Sequence, residues 1–166
     1  MPLIEGGSMQ NTKRMNEYHL REQGDYDITD AIQFQKNDIG RLILRLTIGG
    51  LMLFHGLHKV FYGTDQVNQI LNSVGIPAFF SFGVFIGEVL GPIMLIIGYK
   101  VRLGAFFVAI NMLIAILLVH SSQLDELNQG GGWMLELNAL YLLGALAIMF
   151  LGSGHLSVSK GRGALD

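Results

Sequence analysis

The sequence predicts an all-α, polytopic membrane protein: an antiparallel four-helix transmembrane bundle with both termini in the cytoplasm. Three observations lead there. Only 14% of the 166 residues are charged and 51% are hydrophobic, against about a quarter charged in a typical soluble domain. The apolar residues gather in four runs, at about 40–61, 77–99, 101–120 and 133–152. Each has about the twenty residues an α-helix needs to cross a ~30 Å hydrocarbon core. Lysine and arginine, finally, stand on one side of those runs with Lys59 as the exception, which sets an orientation.

Taken in chain order, residues 1–38 are polar and mixed in charge, without the apolar stretch of a secretory signal. They are expected to form a mostly flexible cytoplasmic tail with a short helix near residues 30–36. Lys13, Arg14, Arg21, Lys36, Arg41 and Arg45 precede or begin the first run. Lys100 and Arg102 follow the second, and Lys160 and Arg162 follow the fourth, in a short cytoplasmic tail over 160–166. The segments 62–76 and 121–132, read as outer loops, contain no Lys or Arg. Tyr62 and Trp133 suit an outer aromatic belt and Tyr99 an inner one.

The turn "GYKVR" is so short that the second and third spans must be antiparallel neighbours. Gly83, Gly87 and Gly91, each four apart, make a flat stripe for close helix packing, within the bundle or against a protein partner or second copy. Gly104, Ala105, Ala109, Gly144 and Ala145 are the smaller counterparts on the later spans. Pro92 is expected to kink the second span and open a space near Glu88.

Several chemistries are excluded. A net charge of −2 gives no footing for nucleic-acid binding. With no cysteine there is no disulfide, thiolate nucleophile or cysteine-ligated iron–sulfur cluster.

The polar residues inside the runs carry what chemistry remains. Arg41, Arg45, Ile48, Met52, His55 and Lys59 follow three- and four-residue steps, so this stripe should face the bundle. Lys59 and Arg41 read as anchors that snorkel to the outer and inner head groups. Arg45 is deeper, with a carboxylate or a lipid phosphate as its expected partner. His58 and His120 stand near the boundary, and His55 nearly a turn deeper. Glu136 lies about one turn inside the outer surface, where it can bond loop backbone near "NQGGGW"; Asn138 and Tyr141 lie deeper. Glu88 and Asn111 fall near the middle of their spans. A carboxylate there cannot reach water by snorkelling, so Glu88 marks a functional site or a buried Glu–His or Glu–Lys pair. His55-x-x-His58 is too common a helical spacing to specify a metal.

The chain resembles the DoxX family of small four-helix bacterial membrane proteins over residues 39–159. The resemblance rests on "RLILRLTIGGLMLFHGLHKVFYG", on the span from "GIPAFFSFGVFIGEVLGP" to "LLVH", and on "FLGSGHLSVSK". Within these, G-x-x-K at Gly56 and Lys59, the Glu88 segment followed by Arg102, His120, and G-x-G-x-x-S ending at Ser157 fall where the family pattern puts them. The resemblance implies a multi-pass protein of the bacterial inner membrane. It also implies a subunit of a redox system, since some relatives serve quinone-linked oxidoreductases.

A quinone pocket in the outer half of the bundle is therefore the leading expectation. Glu88, His55 and His120 would serve as its proton relay, and His55, Glu88, Asn111, Glu136 and Tyr141 would line it. A haem held by His55 and His120 is conceivable in principle, but two boundary histidines explain those residues more simply. The rival expectation is a non-catalytic scaffold, or a carrier of a small molecule or protons. Mid-membrane Glu88 suits proton coupling equally well.

Overall fold

A computed structural model describes residues 6–166. The chain divides into two compact units at Asn37/Asp38. Helix α1 runs over Gly6–Tyr62. The short helix expected near 30–36 is therefore part of a much longer one. Prolines stand only at 2, 77 and 92, so nothing in this stretch forces a break. Residues 1–5 of the expected tail lie outside the described residues.

In the second unit the latter part of α1 is followed by α2 (Asp65–Ser73), α3 (Ala78–Ile97), α4 (Val101–Val119) and α5 (Glu136–Leu151). Among the described residues there is no strand, only an isolated bridge between Leu127 and Trp133. Gln35–Tyr62, α3 and α4 are long and apolar enough to cross a membrane, and α5 is a shorter apolar helix. The protein is thus an all-α membrane protein. Helix α2 occupies the segment read as an outer loop. Its Val67, Ile70 and Leu71 share one helical face, and Leu71 is buried.

Side chains from four helical segments share one core. Ile48 and Met52 come from α1 and Leu95 from α3. Val101, Ala105, Val108, Ala109 and Met112 come from α4, and Tyr141, Ala145 and Ile148 from α5. The α1 stripe does turn inward at Arg45, Ile48 and Met52, all buried. One turn later the helix presents Gly56 inward and leaves His55 exposed, because steps of three and four only approximate 3.6 residues per turn.

Helix α3 is not uniform. It opens as a 3₁₀ turn (Ala78–Phe82), passes through one short α segment, makes a π turn over Ile86–Leu90, and resumes as α-helix at Gly91. Pro92 explains the change of winding. It has no N–H to donate to Glu88 O, and Gly91 N donates instead to Ile86 O, five residues back. The disturbance expected at Pro92 is thus a π turn centred on Glu88. Helix α1 approaches this turn at Gly56, where a Cβ would run into the Glu88 carbonyl and lie 2.6 Å from its carbon.

Of the three glycines expected to form a docking stripe, two are used inside the chain. A Cβ on Gly87 would lie 2.6 Å from Asn111 Cγ, and one on Gly91 would lie 2.8 Å from Gly104 O. Gly83 faces open space.

The basic end of the unit is closed by polar contacts. Gly98 takes a left-handed φ of 77°, and its N–H caps α3 on Met94 O. Arg45, 1% exposed, donates from Nη1 to Leu95 O at 3.4 Å and from Nη2 to Leu156 O at 2.5 Å. Its hydrogen bonds go to backbone carbonyls, while the expected carboxylate, Asp38, acts on its charge without a hydrogen bond. The segment after α5 folds back on the end of α3, with Val158 N on Ile97 O and Ser159 N and Oγ on Gly98 O.

Two glycines of α1 should respond oppositely to alanine. Gly50 has nothing within 4 Å of its would-be Cβ, so Gly50→Ala should stabilise by about 0.5–1 kcal/mol. Gly56→Ala should cost about 1–3 kcal/mol by overpacking. Thermal unfolding of both variants in detergent checks the pair.

Candidate functional site

Three helices bring their polar groups together around Glu88. The carboxylate projects from the π turn of α3 and is buried, with 6% of the residue exposed. Lys59, in the last turn of α1, donates from Nζ to Glu88 Oε2 at 2.5 Å. Asn111, midway along α4, donates from Nδ2 to Glu88 Oε1 at 3.3 Å. Both carboxylate oxygens are thereby engaged. Lys59 is not the head-group anchor it was expected to be. It turns inward because an unpaired mid-membrane carboxylate is costlier than an ammonium drawn in to meet it.

Two cavities meet at this pair. The larger, about 810 Å³, is a half-open chamber bordered by α2, α3 and α4, with walls that include Ile70, Leu71, Phe80, Phe106, Phe107 and Ile110. Its lining is apolar except for Lys59, Glu88 and Asn111. The smaller, about 240 Å³, lies toward α5 and is lined by His55, Asn138 and Tyr141 with Met52, Met112, Ala115 and Leu137. Lys59 and Glu88 line both. An apolar chamber of this size with a few converging polar groups has the usual make-up of a small-molecule site.

The residues expected to form one pocket are thus divided. Glu88 and Asn111 face the large chamber. His55 and Tyr141 are in the small cavity, ring edge against ring face with centroids 5.9 Å apart at 87°. Glu136 lines neither cavity. It is exposed in the first turn of α5, with Oε2 against Gly132 of the preceding loop, where its charge suits the helix N-terminus. His120 also lines neither, and its Nδ1 pairs with Gln123 Oε1 at 2.6 Å. It stands nine residues beyond Asn111, roughly 13 Å along α4, too far to share its neighbours. His55 and His120 therefore share no cavity, and the donor set does not fit a bis-histidine haem. His58 is exposed, its ring 4.7 Å from that of Tyr62. Among the described residues no group of three His, Asp or Glu stands ready for a metal.

Two contributors escaped the sequence reading. Helix α2, which walls the chamber, was signalled by the i, i+3, i+4 spacing of Val67, Ile70 and Leu71. Asn138 was noted for its depth alone, and nothing in its neighbours announced the small cavity.

Comparison with known proteins places this geometry. Residues 40–121 match the family model of DoxX. The chain is also similar to the protein named "Putative oxidoreductase CatD" of Bacillus subtilis (strain 168). They are 28% identical over 121 residues, covering 73% of this chain and 85% of that one. No solved structure matches.

The pair can be tested by a double-mutant cycle. Lys59→Met alone leaves Glu88 buried without its cation and should destabilise by about 3–5 kcal/mol. Lys59→Met combined with Glu88→Met should recover most of that loss, as coupled neighbours do. Unfolding of the two single variants and the double variant in the same detergent measures it; simple additivity would mean that the two charges do not interact.

Proposed function

We propose, from the match of residues 40–121 to the family model of DoxX, that this chain is the membrane subunit of a redox system, holding a quinone or quinol headgroup beside Lys59, Glu88 and Asn111. One observation carries the reading. An apolar chamber of about 810 Å³ has three polar side chains, and all three converge on one point of its wall. The similarity to a protein named as an oxidoreductase supports the redox part.

The residues present fit such a headgroup. Lys59 and Asn111 carry N–H donors for carbonyl oxygens, the Glu88 carboxylate can take up a proton, and the aromatic and aliphatic walls suit an apolar ring. A bound quinone supplies the couple of two electrons and two protons. The chain has no cysteine to carry an iron–sulfur cluster, so the electrons are assigned to a partner redox protein. The clustering of Arg41, Arg45, Lys100, Arg102, Lys160 and Arg162 supports a cytoplasmic basic end in a bacterial inner membrane. The chamber then belongs to the outer half.

Lipid extracts of the purified protein should contain a stoichiometric quinone by mass spectrometry. Gly83→Leu, which adds bulk at an open point of the lining, should lower its occupancy. Glu88→Gln should weaken binding roughly 10–100-fold, the worth of one charge-assisted hydrogen bond. A quinone-free native protein with an indifferent Glu88→Gln variant overturns the proposal and leaves a scaffold or a carrier.

A further inference from the structure

We propose that the smaller cavity is a proton port, through which protons reach the Lys59–Glu88 pair from the aqueous side and pass it into the chamber. The proposal rests on the reading above for the proton's destination, while its geometry stands alone.

The chamber's own lining offers no titratable group besides Lys59 and Glu88. Its remaining walls are apolar apart from the Asn111 amide, so the pair is the one point of its lining where a proton can be held. On the other side the same two residues face a cavity of different make-up. His55, Asn138 and Tyr141 bring an imidazole, an amide and a phenol into about 240 Å³. At about 30 Å³ per molecule that volume admits several waters, and each would find polar partners there. His55 is exposed, whereas Tyr141 is buried at 5%. The cavity therefore has an outer titratable group, an inner hydroxyl, and the carboxylate at its end.

The groups facing the pair come from every helix around it. These are His55 on the same helix as Lys59, Tyr141 and Asn138 on α5, and from α4 the amide of Asn111 with no charge. In the transfer, Glu88 takes a proton from water in the small cavity and becomes neutral. Lys59 then loses the anion that held its ammonium, and releases a proton to an acceptor in the chamber. The proton on Glu88 passes to Lys59 across their 2.5 Å contact, restoring both charges. One proton enters, one leaves, and neither side chain needs to cross the wall.

The test uses the full chain in lipid nanodiscs and needs no ligand. After a jump into D₂O, infrared bands of the Glu88 carboxyl and Lys59 ammonium, identified with Glu88→Gln, report how fast the pair exchanges. Tyr141→Phe and His55→Leu, each with native helicity by circular dichroism, should slow that exchange. The expected slowing is roughly 100-fold, the low end of what a positioned proton donor contributes. Asn138→Leu, which plugs the cavity, should do the same, whereas His58→Leu, at a histidine that lines neither cavity, should leave the rate unchanged. Equal slowing by His58→Leu, or no slowing by the other three, overturns the port. A chain that shows the port pattern but binds no quinone fails the functional reading and keeps the port. One that binds quinone with exchange indifferent to His55, Asn138 and Tyr141 does the reverse.

Discussion

An ammonium and a carboxylate 2.5 Å apart, one partly and one almost wholly buried, set the terms for everything around them. Each charge is tolerable because the other is there, so the backbone must hold Lys59 and Glu88 in register. Gly56 lets α1 come against the carbonyl of Glu88. The π turn aims the carboxylate at α1 and α4 together, and Asn111 takes up the second oxygen. Loosening any of these contacts leaves a charge exposed to hydrocarbon.

The basic end obeys the same rule with different chemistry. The Arg45 guanidinium is almost wholly buried, yet its hydrogen-bond partners are carbonyl oxygens at the end of α3 and in the segment after α5. A helix C-terminus carries partial negative charge, and a planar fork of donors can serve two acceptors at once. Lys59 and Arg45 are fourteen residues apart, about 21 Å along α1. Helix α1 is therefore fastened to α3 at two depths, once by an ion pair and once by a charged fork on backbone. Between the fastenings Gly49 and Gly56 let α1 come close against Leu95 and Glu88 of α3.

How much of this the sequence disclosed depends on the kind of information needed. Helix existence was legible because hydrocarbon admits little else, and Glu88 and Asn111 stood out as polar residues at mid-span. Partner choice was not legible. Hydropathy places Lys59 near a boundary but cannot say that a carboxylate twenty-nine residues away will draw it inward. The division of His55 and Tyr141 from Asn111 was hidden for a related reason. All three were read as facing the bundle interior, and only the positions of α4 and α5 around the Lys59–Glu88 pair decide which side each occupies. Helix α2 was in plain view as a spacing of apolar residues, but its length fell below what the search for spans attends to. The π turn left one trace, Pro92, and its placement at Glu88 follows from the hydrogen bond that proline cannot make.

Helix α5 has sixteen residues, roughly 24 Å of helix, against a hydrocarbon layer of ~30 Å. Its neighbour α4 has nineteen. Helices of these two lengths share one bilayer if α4 tilts, if the bilayer thins beside α5, or if the segment before α5 lies in the head groups. That segment suits the last role: Trp133 satisfies its indole N–H on Leu124 O, and Asn128 ties down the N–H groups of Gly130 and Gly132. The small cavity opens beside this shortened helix. Membrane thickness thus becomes a variable of the protein's chemistry, because a thinner bilayer shortens the distance between bulk water and the buried pair.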